Sequence, residues 1–180
     1  MVDQVDVAPN GDLVLIIRDE LALRVYSVIL ELCSPVFKAM LDPHFAEGQI
    51  QGASADPKRI ALPEDSAEGM RILCLCLHHQ TDTLKQLPSH AVIQELAIVA
   101  DKYGCMNAVC SVLESWLAQI DTLSWKNPGP VLHTICLFDD AERFQTLTED
   151  LNGGVAYSPS ERGLRLRTRR CSVSVVIEPR

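Results

Sequence analysis

The chain has 180 residues, 47% hydrophobic and 22% charged, with a net charge of −8. That length suits one domain, or one domain with a helical extension, and can bury a real core without disulfide staples, so wholesale disorder is excluded. Apolar runs such as Ile72 to Leu77 are far too short to span a bilayer and the opening MVDQVDVAPNGD is acidic, unlike a secretory signal; a cytosolic or nuclear protein with no membrane partner is expected.

In chain order, Pro9-Asn10-Gly11 signals a turn and releases a strand over Asp12 to Arg18, whose run Leu13 to Ile17 reads as buried on both sides. Asp19-Glu20 closes a tight hairpin, and the return strand Leu21 to Val25 alternates Leu21, Leu23 and Val25 with Ala22 and Arg24. The chain then enters a helix, halts at Ser34-Pro35 and restarts as a second short helix with Phe37 and Met40 on one face. A polar stretch, Gly52 to Pro57, precedes a third strand over Arg59 to Leu62.

Ser66 is the expected N-cap of the next helix, but Gly69 stands at the third helical position, so the cap lacks its reciprocal glutamate. That helix, Ala67 to His79, is apolar nearly all round and should be the central core helix. Ser89 opens another, with Val92, Leu96, Val99, Ala100 and Tyr103 as its stripe and Gly104 as its stop. Met106 to Ile120 follows, with Val109, Cys110, Leu113, Trp116 and Ile120 on one face; Trp125 lies just beyond it and, like Trp116, reads as structural. Strands followed by paired helices define an α+β domain.

After Asn127-Pro128-Gly129-Pro130, two short helices are expected, Val131 to Phe138 and Ala141 to Leu151. Beyond Asn152-Gly153-Gly154 the composition turns to Ser, Pro and Arg, and little order is expected until a weak strand at Ser172 to Ile177. Six arginines against Glu161 and Glu178 make residues 161–180 a +4 tail, leaving −12 on residues 1–160. The acidic body should repel nucleic acid and favour neutral or basic polypeptides. The tail GLRLRTRR is either a solvated end or a localisation or weak nucleic-acid element, without aromatics to stack on bases.

Chemistry-bearing patterns are few. Seven cysteines, an odd number scattered through helical pattern, read as reduced core thiols. In Cys74-x-Cys76-x-His78-His79 the helix pairs Cys74 with His78 while Cys76 faces elsewhere, so four ligands cannot converge on one metal ion. Cys105 and Cys110 lack the pairing of a zinc ribbon, and His133 stands without a nucleophile or acid partner. No phosphate-binding glycine loop occurs. No cofactor, metal or catalytic residue is assigned, although stoichiometric zinc or a low-pKa cysteine would revive a thiol or metal enzyme.

The letters Leu23, Arg24, Val25, Leu30, Ser34, Phe37, Met40 and Leu41 resemble, without a gap, the signature of the BTB/POZ interaction domain. The strand start Asp12-Leu13-Val14-Leu15, the strand Ile60-Ala61-Leu62-Pro63 and the helix end Ala100-Asp101-Lys102-Tyr103 continue that resemblance in order and spacing. It implies a BTB/POZ-like three-stranded sheet packed on helices over residues 12–122. A helical extension over 128–151 follows, similar through LFDDAERFQTLTEDL to that of many fungal members, and then a basic tail over 152–180. The implied function is a non-catalytic protein-protein interaction module, scaffold or adaptor; a chromatin or transcription regulator using its arginine tail is the alternative.

Two departures from the family pattern stand out. Tyr26 replaces the strand-end histidine and Ser27 the basic residue after it, so Asp12 needs a different partner. Only eleven residues, Pro9 and Gly11 among them, precede Asp12 where dimerising members carry an exchanged helix, which favours a monomer. In members that serve cullin-type ubiquitin ligases an apolar-x-Glu tripeptide contacts the cullin, and Phe45-Ala46-Glu47 occupies that place. Phe45 is either such an anchor or a core residue. Phe45 and Glu47, with the loop histidine His44, form the candidate partner-binding set.

Overall fold

A computed structural model of the chain describes residues 2–42, 44 and 53–119, together with the single positions 135, 136 and 145. Its strands are β1 (Asp3–Asp6), β2 (Leu13–Ile17), β3 (Leu21–Val25) and β4 (Lys58–Leu62). The helices are α1 (Ser27–Cys33), α2 (Pro35–Met40), α3 (Ala67–Leu77), α4 (His90–Lys102) and α5 (Met106–Leu117), with a 3-10 turn at Thr81–Leu84.

The sheet runs β1-β3-β2-β4. β2 is antiparallel to β3, with Leu15 opposite Leu23, and parallel to β4, with Leu15 opposite Ile60. Side chains on both faces of β2 are turned away from water, which is why it carries five consecutive aliphatic residues, four of them buried. The β2–β3 turn takes positive φ at Arg18 and Asp19, one residue earlier than the Asp19-Glu20 expected from sequence, and Glu20 N–H donates to Ile17 C=O at 2.9 Å. Positive φ at both central residues matches the twist of a hairpin.

The expected three-stranded sheet is corrected to four strands. β1 lies parallel to β3, pairing Asp3 with Leu21 and Asp6 with Arg24. Its sequence DQVD holds a single apolar residue, so hydrophobic alternation gives no signal, and as an edge strand it remains mostly exposed. What anchors it is the following segment. Val7 and Ala8 are buried, Ala8 N–H donates to Arg24 C=O at 2.9 Å, and Gln80 Nε2 donates to Val7 C=O at 2.6 Å. Gly11 is required there, because a Cβ would collide with the Val25 carbonyl.

Ser34 forms the α1–α2 joint in three ways. Its N–H closes α1 on Leu30 C=O at 2.9 Å, its Oγ accepts from Phe37 N–H at 3.0 Å, and the same Oγ donates to Tyr103 C=O at 2.6 Å. Pro35 follows at the first helical position, where its missing N–H is harmless. Phe37, fully buried, stacks on Tyr103 with ring centroids 4.2 Å apart and planes 12° apart. The serine-proline break thus seats α2 on the end of α4.

α3 is the buried centre, as its all-round apolar pattern anticipates. Ser66 Oγ accepts from Gly69 N–H at 3.0 Å and donates to Glu95 Oε2 of α4 at 2.7 Å, so the capping hydroxyl is oriented from the neighbouring helix. Gly69 lets the two helices approach, since a Cβ there would sit 2.8 Å from the Glu95 carbonyl oxygen. Trp116 is buried on α5 and donates from Nε1 to Leu84 C=O at 2.8 Å, confirming it as structural. Ile135, Cys136 and Gln145 are helical and Ile135 is buried; the other residues expected in helices over 128–151, Trp125 and the tail over 152–180 lie outside the described residues.

Candidate protein-interaction surface

The strand end that departs from the family pattern is rewired rather than left open. Asp12 Oδ1 accepts from Ser27 N–H at 2.9 Å and Oδ2 from Ser27 Oγ at 2.5 Å, so the residue in the place of the usual basic one is itself the partner Asp12 needs. Tyr26 N–H donates to His78 Nε2 at 3.2 Å, and the two rings stack at 6.3 Å. A backbone N–H can only donate, so Nε2 accepts; Nδ1 then carries the proton and donates to Cys74 C=O at 2.8 Å. Burial, and to a lesser degree the neighbouring His79, holds the His78 imidazole below its usual range against the raising effect of that carbonyl.

A second polar centre locks the far side. Asp65 is buried; its Oδ2 accepts from Tyr103 Oη and its Oδ1 from Lys102 Nζ, both at 2.7 Å. Burial first and the Asp65 hydrogen bond second push the Tyr103 phenol well above its usual range, so it stays a donor at every physiological pH. Sequence reading did not find this pair, because thirty-odd residues separate its members and nothing local announces that they meet.

Part of the outward surface of α1 is apolar. α1 turns Leu30 inward but leaves Leu32 81% and Val28 55% exposed, one helical turn apart on the same face. They line an open groove of about 390 Å³ with Glu31, Cys33, Ser34, Pro35 and Lys38. Val36 and Tyr26 are exposed large hydrophobic residues in the flanking segments. The signal for this surface was present: in SVILELC the apolar residues Val28, Ile29, Leu30, Leu32 and Cys33 surround the helix, and one neighbouring layer cannot cover every side of it.

Of the sequence-derived contact set, His44 is fully placed. Its side chain is exposed, and its N–H and Nδ1 both meet Asp42 Oδ1, at 2.9 and 2.5 Å. The His44 backbone hydrogen bond, then its imidazole, hold the Asp42 carboxyl below the usual range. Phe45 and Glu47 lie outside the described residues.

The thiol and metal patterns take core positions. Burial pushes the Cys74 thiol up to about 12 and the Cys76 thiol to about 11, leaving both protonated and weakly nucleophilic. His78 reaches the backbone carbonyl of Cys74. Among the described residues no cluster of His, Cys, Asp or Glu could hold a metal ion, and no helix is long and apolar enough to cross a membrane.

A four-stranded sheet packed on helices, with the Ser34 joint between α1 and α2, is the layout of an α+β domain. Residues 9–119 match the family model of the BTB/POZ domain, more than half of the chain, and the chain belongs to that family. BTB/POZ domains are protein-protein interaction modules, and that is the class of activity the fold carries here. No curated protein matches the chain.

Proposed function

We propose that this protein is an adaptor of a cullin-type ubiquitin ligase, acting as a monomer without catalytic activity of its own. The loop Asp42 to Gln51 meets the cullin through Phe45 and Glu47, with His44 beside them, and the α1 groove is left for a second polypeptide. The cullin contact is supported by the Phe45-Ala46-Glu47 tripeptide after α2, and the second partner by the exposure of Leu32 and Val28 on a helix whose other face is core. An exposed leucine beside a groove is the kind of anchor that an interface desolvates. The acidic body orients the complex and disfavours anionic partners.

Pull-down and calorimetry with a cullin N-terminal domain test the proposal. Wild-type protein is expected to bind, Phe45→Ala to lose at least tenfold in affinity and Glu47→Ala somewhat less. Equal binding by all three forms, or none by any, removes the ligase-adaptor reading.

A further inference from the structure

Two cysteines meet where the α1–α2 joint is laid against the α4–α5 turn. Cys105 Sγ lies 3.6 Å from the Cys33 carbonyl oxygen and 3.5 Å from the Tyr103 carbonyl oxygen. The two segments touch on either side of this contact. Ser34 Oγ donates to Tyr103 C=O at 2.6 Å, and a Cβ on Gly104 would stand 3.1 Å from Pro35 Cγ. A carbonyl oxygen lies about 2.4 Å from its own Cα, so the Cα of Cys33 is within roughly 6 Å of the Cys105 sulfur. The environments differ: Cys33 is exposed and lines the α1 groove, whereas Cys105 is buried.

We propose that Cys33 and Cys105 form a peroxide-sensitive thiol pair that closes to a disulfide, stapling the α1–α2 joint to the start of α5. The exposed Cys33 reacts first with a two-electron oxidant of the peroxide class. Its thiolate sulfur attacks one peroxide oxygen, the O–O bond breaks, and Cys33 becomes a sulfenic acid as the other oxygen leaves as hydroxide and is protonated to water. The Cys105 sulfur then attacks the sulfenic sulfur. The S–S bond forms, the S–O bond breaks, and the departing hydroxide takes the Cys105 proton as a second water. In balance, two thiols and one hydrogen peroxide give one disulfide and two waters.

Burial pushes the Cys105 thiol up, which leaves it protonated and unreactive toward peroxide until a sulfenic acid is beside it. Closing the bond draws the Cys33 side chain out of the groove it shares with Leu32 and Val28. It also tethers two segments far apart in sequence, and long loops give the larger stabilisation.

The test uses the full chain, reduced, treated with stoichiometric hydrogen peroxide, alkylated and digested for mass spectrometry. The expected product is a monomer whose Cys33 and Cys105 peptides are cross-linked, with a melting temperature raised by roughly 5–15 °C and reversed by dithiothreitol. Cys33→Ser, at an exposed position, must leave Cys105 a free thiol. With two or more equivalents of hydrogen peroxide, Cys105→Ser must drive Cys33 on to sulfinic acid, provided circular dichroism shows the variant folded. Cross-linking of Cys33 to another cysteine or to a second copy, or Cys33 overoxidised in the wild type with Cys105 still free, overturns the proposal.

Discussion

Replacing Gly69 by alanine sets two effects of opposite sign against each other. Alanine favours a helix over glycine by about 1 kcal/mol, less so in the first turn, so propensity alone stabilises. The new Cβ, however, would stand 2.8 Å from the Glu95 carbonyl oxygen, 3.0 Å from the carbonyl carbon and 3.2 Å from Val99 Cγ2. The first two are backbone atoms in the second turn of α4, held by its own hydrogen bonds, and cannot rotate aside. α3 and α4 must separate by about half an ångström, and overpacking of this kind costs about 1–3 kcal/mol, occasionally more. Separation also stretches the Ser66–Glu95 hydrogen bond, now 2.7 Å. The expected net change is therefore a loss of about 1–2 kcal/mol. Urea unfolding followed through buried Trp116 measures it, with the midpoint falling by roughly 0.5–1 M at unchanged m. A variant more stable than wild type would mean that the helices yield freely, and the argument for close α3–α4 packing would be wrong.

Tyr103→Phe keeps the stack on Phe37 but removes the donor to Asp65, and should cost about 1.5–3 kcal/mol in the same assay; Asp65→Ala, which strands the phenol as well, should cost more. Since His78 is held below its usual value, the unfolded chain takes up its proton first. Its contribution is therefore complete above about pH 6.5 and is lost as the pH falls from there through the folded value. Urea midpoints at pH 7.5 and 5.5 should converge in His78→Gln relative to wild type, and an unchanged difference would contradict the assignment. Under native conditions at pH 8, Cys33 should react with a thiol reagent far faster than Cys74 or Cys76, read by peptide mapping of the label. Leu32→Asp should leave stability within about 0.5 kcal/mol because the side chain is in water already, while weakening capture of a groove-bound polypeptide. Light scattering of the wild type should report a monomer, and a stable dimer at micromolar concentration would contradict that reading.

The sequence by itself determined what depends on near neighbours. The aliphatic run Leu13–Ile17 requires a strand covered on both sides, Ser34-Pro35 must end one helix and begin another, Ser66 and Ser89 cap helices, and the α3 pattern demands the centre of the core. Each follows from period, capping chemistry or a fixed φ, all of which act within a few residues. Tertiary structure alone decided β1, whose stability comes from pairing with β3 and not from DQVD; the glutamate that orients the capping hydroxyl of α3; the Asp65–Tyr103 bond; and the contact of the Cys105 sulfur with the Cys33 carbonyl. It also decided which part of an apolar helix stays in water, leaving Leu32 out and Leu30 in. Partners far apart in sequence leave no local imprint, because the energy that selects them exists only once the chain has brought them together.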